Sequence, residues 1–342
     1  MMLPMPAKKL SDIPVSVLDL VPILSEKTAA DSFKNTVDLA QRVEQLGFQR
    51  YWMAEHHNMA GIASSATVVL IGHVAGATSR LRVGSGGIML PNHAPLVVAE
   101  QFGTLATLYP GRIDLGLGRA PGTDQMTAHA LRRDLRGSVD EFPQNVVELK
   151  NYLGPVDPTA RVRAVPGEGS DVPIWILGSS TFGAQLAGIL GMPYAFASHF
   201  APSQLHAALK VYRDSFQPIG DLKEPYAMAC VNVIAADTDE AAIYQSTSLY
   251  QSFLNVVRGT AKPMQPPVKS MDGLWDASER YAVQQMLRYS FIGGPKTVQE
   301  ELQTFLDETG VDEIMVGCNL YDHSARVHSY ELLAGFFKPV AS

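Results

Sequence analysis

Cysteine is scarce in this 342-residue chain: only Cys230 and Cys318 occur. Both sit in apolar stretches, which excludes a disulfide-stapled secreted scaffold and leaves buried free thiols of a reducing compartment as the expectation. Basic charge is scarce too. The 27 Lys and Arg stand against 34 Asp and Glu, giving a formal charge of -7, so a phosphate-rich polymer is repelled on average and nucleic acid is not an expected partner. The chain has no run of about 18 apolar residues to span a membrane, and Met1 to Leu10 lack the apolar region of a secretory signal. A cytoplasmic protein is expected. No G-x-G-x-x-G follows the first apolar run, and Gly116-Leu117-Gly118 lacks the third glycine in register. Walker A, G-x-S-x-G and H-E-x-x-H patterns are missing as well, which removes several common enzyme classes.

What is present fits a folded chain with a large core: 46% hydrophobic residues, 18% charged and a mean hydropathy of +0.03. Short β-branched runs alternate with helical spacings, the pattern of βα units on a parallel sheet. Strands are expected at Val15 to Leu20, Arg50 to Ala54, Leu81 to Gly87 and Arg112 to Leu117. Four more are expected at Pro173 to Leu177, Tyr194 to Ser198, Tyr226 to Ala236 and Asp312 to Val316. The helix after the second strand is expected to be capped by Ser64 or Ser65. Eight units favour a closed α/β barrel, a single (β/α)8 TIM barrel over residues 1–342, rather than an open sheet. Two segments are left over, Gly154 to Asp171 and Asp237 to Tyr289. The second is long and partly helical, a candidate substrate lid.

Ligands of such a barrel bind at the C-terminal strand ends. Those ends hold Glu55-His56-His57-Asn58, Ser85-Gly86-Gly87, Arg119, Gly178-Ser179-Ser180, Ser198-His199 and Asn319. Gly178, Ser179 and Ser180 open a helix, where free amides and the positive end of the dipole make an anion site or an ordinary N-cap. Arg119 offers a guanidinium fork for phosphate, or a structural ion pair. Gly86 and Gly87 mark either a bulge or a backbone passed closely by a flat ring. In an extended chain successive side chains face opposite ways, so only one of His56 and His57 faces the axis. A histidine there is either a proton-transfer group or a structural one, and a metal site is disfavoured for want of converging ligands. His93, His199 and His323 follow later strands and are weaker candidates.

The segments Tyr51-Trp52-Met53-Ala54-Glu55-His56-His57, Val83 to Pro91, Tyr109 to Arg119, Trp175 to Ser180, Ala195 to Phe200 and Asp312 to Val316 resemble, in order, blocks of the bacterial-luciferase-like flavin monooxygenases. The likeness spans nearly the whole chain and is greatest to compact luciferase-like oxidoreductases. It implies a TIM barrel that binds FMN, reduced by a separate flavin reductase, and activates O2 for an unidentified small organic substrate. By the same resemblance His56 is the catalytic histidine near the flavin. Gly86 and Gly87 match the site of a non-prolyl cis peptide against the flavin ring, and Arg119, Gly178, Ser179 and Ser180 match the phosphate site. The Gly-Ser-Ser turn departs from luciferase itself, which has an acidic residue before its serine. A homodimer is implied. A coenzyme F420-dependent dehydrogenase and a flavin-storage protein are the alternatives.

Overall fold

The computed structural model describes residues 8–120, 124–131, 140–219, 222–337 and 339. Strand β1 (Val15–Asp19) is buried at every position, as a parallel strand covered on both faces should be. Helix α1 (Ala29–Gln45) is started by Thr28, whose side chain accepts from the Asp31 amide while Asp31 returns a bond to the Thr28 amide. Alternation continues through β2 (Arg50–Met53), α2 (Thr67–Ala77), β3 (Arg82–Met89), α3 (Pro95–Leu108) and β4 (Ile113–Gly118). After α4 (Gln125–Leu131) and α5 (Phe142–Leu153) come β5 (Ile174–Gly178), α6 (Thr181–Ile189), β6 (Tyr194–Phe196) and α7 (Leu205–Ser215). Then follow β7 (Ala227–Ala235), α8 (Asp239–Val257), α9 (Ala277–Met286), β8 (Ser290–Gly293), α10 (Pro295–Thr309), β9 (Glu313–Gly317) and α11 (His323–Ala334).

Strands β1 to β7 pair in sequence order, and β9 closes the ring between β7 and β1 with every pairing parallel. This is the expected eight-stranded (β/α)8 barrel. The ninth strand, β8, was not expected. It pairs with Asn232 to Ala235, the second half of β7, whereas Met228 to Asn232 pair with β9. Four residues running into Gly293-Gly294 carry too little pattern to read as a strand, and β7 is long because its two halves take different partners. Neither Ser64 nor Ser65 caps α2. The N-cap is Ala66 without a side-chain bond, because the Ser64 hydroxyl donates instead to the Ala54 carbonyl at 2.6 Å.

One apolar layer fills the space between strands and helices, with Leu39, Ile71, Phe102 and Leu149 fully buried. A smaller one lies inside the barrel around Trp52, Trp175, Met228 and Met315. Trp52 and Trp175 meet edge to face at 5.2 Å. Below them, at the N-terminal strand ends, Arg50 bridges Asp114 at 2.7 Å and Glu313 at 3.1 Å, and Arg82 holds Asp114 at 2.6 Å. Burial alone would raise the Asp114 carboxyl, but Arg50 and Arg82 hold it below the usual carboxylate range. Tyr226 and Trp52 donate to Glu313 and Asp114 at 2.9 and 3.2 Å. That end of the barrel is closed.

Candidate active site

The other end opens into a cavity of about 450 Å³ lined by His56, Gly86, Gly87, Arg119, Gly178, Ser179 and Ser180, the residues that the resemblance assigns to the flavin. His199 and Asn319 line it as well. The long segment after β7 divides in two. The start of α8 follows Thr238, whose hydroxyl accepts from the Ala241 amide, and the helix packs on β7 and β8. Its far end and the chain beyond it reach over the cavity through Phe253, Val256 and Met264. The leftover Gly154 to Asp171 lies away from the cavity and packs Gly167 against Gly103 of α3.

Alternation at the end of β2 sends His56 into the cavity and Glu55 away from it. The buried Glu55 carboxylate accepts from His57 at 2.8 Å, from His93 at 2.9 Å and from the Met89 amide at 2.9 Å. Burial would raise the Glu55 carboxyl, yet the bonds from His93, His57 and Met89 hold it below its ordinary value. The Glu55 amide donates to the Gly87 carbonyl at 3.1 Å. Glu55, His57 and His93 therefore form a clamp that positions the end of β3 next to His56, and neither His57 nor His93 faces the cavity.

The Gly86–Gly87 peptide is cis, matching the geometry implied by the resemblance. A Cβ on Gly87 would lie 2.8 Å from the Gly116 carbonyl oxygen, and one on Gly86 would lie 3.0 Å from Leu18 and 3.2 Å from Trp52. Side chains are excluded there by backbone on one side and by the inner core on the other. Ser85 serves the strands, not the cavity, exchanging bonds with the Gly116 amide and carbonyl at 3.0 and 2.9 Å. Ser198 is likewise structural, donating to Cys230 O at 2.6 Å. His323 pairs with Asp38 at 2.9 Å near the start of α11. Asn58 is exposed and reaches Asp124 at 3.4 Å.

Arg119 follows β4 and lies over the Phe182 ring at 4.0 Å, a contact the sequence reading missed. Among the described residues it makes no ion pair or hydrogen bond. Phe182 is the second residue of α6, so the guanidinium sits at that helix's N-terminus. There Ser180 is the N-cap, and its hydroxyl makes no cap bond. A stacked guanidinium, unspent serine hydroxyls and the first-turn amides beyond Thr181, whose own amide donates to Gln204 Oε1 at 3.3 Å, form a donor set for a dianionic group.

His199 follows β6. Its Nδ1 is buried without a partner, and burial, helped by nearby His56, pulls the imidazole down to about 3, so it is neutral at physiological pH. The rest of the lining is soft and apolar, with Met59, Met89, Met228, Met264, Met286 and Met315 all facing the space. Single methionines on different elements have no shared spacing, so no sequence signal marked them. Among the described residues no group of three His, Cys, Asp or Glu is placed to hold a metal ion, and no helix is long and apolar enough to cross a membrane.

Residues 13–313 match the model of the luciferase-like monooxygenase family. A protein of Escherichia coli (strain K12) named luciferase-like monooxygenase is 54% identical over 320 residues, 94% of this chain and 96% of the relative. The crystal structure of apo-MsnO8 superposes with a TM-score of 0.84 at 32% identity, covering 94% of this chain and 98% of that one. Two more distant structures share the fold. One is the oxygenating constituent of 3,6-diketocamphane monooxygenase from Pseudomonas putida in complex with FMN (TM-score 0.72, 15% identity, 96% and 98% covered). The other is an F420-dependent secondary alcohol dehydrogenase (0.68, 14%, 97% and 100%). The chain belongs to the luciferase-like monooxygenase family.

Proposed function

We propose that this protein is an FMN-dependent monooxygenase that takes reduced flavin from a separate reductase. The observation that carries this reading is the donor set of Arg119, Ser179 and Ser180 at the start of α6, continuous around the ring with Gly86–Gly87 and His56. These residues fit FMN. The donor set would hold its phosphate, and the side-chain-free β3 end would take the flat ring. Bound reduced FMN supplies the electrons with which O2 is activated and one oxygen atom passed to an organic substrate. His56, facing the cavity, would hold or move a proton there. The covering segment 252–264 excludes water from the space below it.

Anaerobic titration with FMN, reduced FMN and coenzyme F420 tests this reading. Saturable binding of reduced FMN and O2-dependent turnover are expected. Tight F420 binding without O2 uptake would replace it with a dehydrogenase, and tight FMN without turnover would replace it with flavin storage. Arg119→Ala should weaken FMN binding by about 1.5–3 kcal/mol, and unchanged affinity removes the phosphate role. We further read the protein as a cytoplasmic homodimer. Free buried Cys230 and Cys318 support the compartment, and exposed Val69 of α2, with Val97 and Leu108 of α3, supports an apolar subunit contact. Sedimentation would read the mass directly.

A further inference from the structure

The residues assigned to the flavin occupy one continuous arc of the ring, from β2 to β5. The other arc, formed by β6, β7, β9 and β1, contributes Met228, Cys230, Met315 and Leu18 from inside the strands. It contributes two polar side chains above them: His199 after β6 and Asn319 after β9. Neither is hydrogen-bonded through its side chain among the described residues. Asn319 makes no side-chain hydrogen bond among the described residues. Among the described residues His199 Nδ1 is enclosed and unbonded, while Nε2 also has no partner but is not enclosed, so it is the nitrogen open to the cavity.

The imidazole is held in place without using either nitrogen. Its ring stands edge-on to Phe200 at 4.8 Å, and Asn232 Nδ2 donates to the His199 carbonyl at 2.6 Å. A phenylalanine would fill such a space at lower cost than an imidazole whose enclosed Nδ1 has no partner among the described residues. Protein hydrogen bonds normally fix a histidine's tautomer through its second nitrogen. Here nothing does, so Nε2 can donate or accept as a ligand requires.

We propose that His199, with Asn319 across the same arc, is the substrate-binding pair. It would hold one uncharged hydrogen-bonding group, a carbonyl or a hydroxyl, of a molecule whose remainder is apolar and rests on Met228, Cys230 and Met315. This rests on the flavin reading only in giving the β2–β5 arc to the cofactor. The neutrality of His199 fits it: a dipole suits a carbonyl or hydroxyl, whereas a carboxylate would seek a cation, and the two lining cations, Arg119 and Lys262, follow β4 and α8 rather than the strands of this arc.

Matched probes with one body test the assignment: cyclohexanone, cyclohexane and cyclohexanecarboxylate, each titrated into the FMN-loaded protein and into the protein alone. Cyclohexanone should bind about three- to tenfold more tightly than cyclohexane, the span of one net hydrogen bond, with cyclohexanecarboxylate the weakest. His199→Phe should bring the ketone-to-alkane ratio to about one, and His199→Gln should restore part of it. In 15N-histidine-labelled protein, with His199→Gln giving the assignment, cyclohexanone should move the His199 resonances and leave those of His206 and His328 in place. The proposal is overturned if cyclohexanone shows no preference over cyclohexane or no binding, if the preference survives His199→Phe, or if cyclohexanecarboxylate binds best. FMN affinity should be unchanged in His199→Phe; if it collapses, His199 belongs to the cofactor and the proposal also fails. If wild-type protein binds no FMN, the flavin reading falls, while the ketone-to-alkane comparison on the protein alone still decides this one.

Discussion

At the N-terminal end of the barrel Arg50 spans Asp114 and Glu313 at 2.7 and 3.1 Å, whereas at the C-terminal end Arg119 rests on Phe182 and makes no ion pair among the described residues. The same contrast holds for neutral groups. Tyr226 and Trp52 donate to the lower network, while His199 Nδ1 at the upper end has no acceptor or donor. One fold thus carries two kinds of polar end. Where buried polar groups satisfy one another, the end is a plug that contributes to stability. Where bonding capacity is left over around the cavity, the proposed ligands would take it up.

Breaking the plug should give the largest effect. Asp114→Asn removes the charge that Arg50 and Arg82 share, leaving Arg82 without its carboxylate and Arg50 with Glu313 alone, and should cost about 3–5 kcal/mol of stability. Urea denaturation reads this directly. A loss below about 1 kcal/mol would mean that Glu313 alone neutralises the network, and the contrast between the ends would weaken.

Glu55 stands between the two kinds, a satisfied group that serves the open end. Glu55→Gln should cost about 1–2 kcal/mol, since charge-assisted bonds from His57, His93 and the Met89 amide become neutral ones. The pH dependence has a definite sign. Because folding lowers the Glu55 carboxyl, its contribution is fully present above the unfolded glutamate value of about 4.3 and is lost as pH falls through the lower folded value. The gap in urea midpoint between wild type and Glu55→Gln should therefore hold above about pH 4.3 and narrow as the pH falls below it. A gap constant across that range would show that Glu55 acts by shape alone.

These contrasts were unevenly legible in the sequence. The barrel could be read because buried parallel strands leave mostly apolar runs, Val15 to Leu20 interrupted only by Ser16 and Asp19 and Tyr226 to Ala236 only by Asn232, and outer helices leave a stripe. The short β8 could not, since four residues with one partner strand carry no period of their own. In the site, His56, Arg119 and the Gly-Ser-Ser turn were visible because each directly follows a strand. The Phe182 stack, the six methionines and the covering segment 252–264 were not, because each depends on elements brought together only by the closed ring. The lower network was hidden for the same reason: Arg50, Arg82, Asp114 and Glu313 each read as an ordinary charge at a strand start. His199 was visible but ranked low, because what sets it apart is an unpaired nitrogen, which no sequence position records.

The smallest effect is also the most selective one, and it compares two helix starts. Thr238 at the start of α8 accepts from the Ala241 amide at 3.2 Å, whereas Ser180 at the start of α6 makes no such bond. Thr238→Ala should therefore cost about 0.5–2 kcal/mol of stability by removing a cap and leave FMN affinity alone. Ser180→Ala removes no cap bond, so its stability should stay within roughly 0.5 kcal/mol of wild type. Its FMN affinity should fall instead, by about 0.5–1.5 kcal/mol, the worth of one hydrogen bond to the phosphate. Equilibrium denaturation and flavin titration on the same two variants separate the outcomes. If Ser180→Ala destabilised the fold as Thr238→Ala does and bound FMN normally, its hydroxyl would be spent on the helix after all, and the α6 start would pass from the open end's accounting to the closed one's.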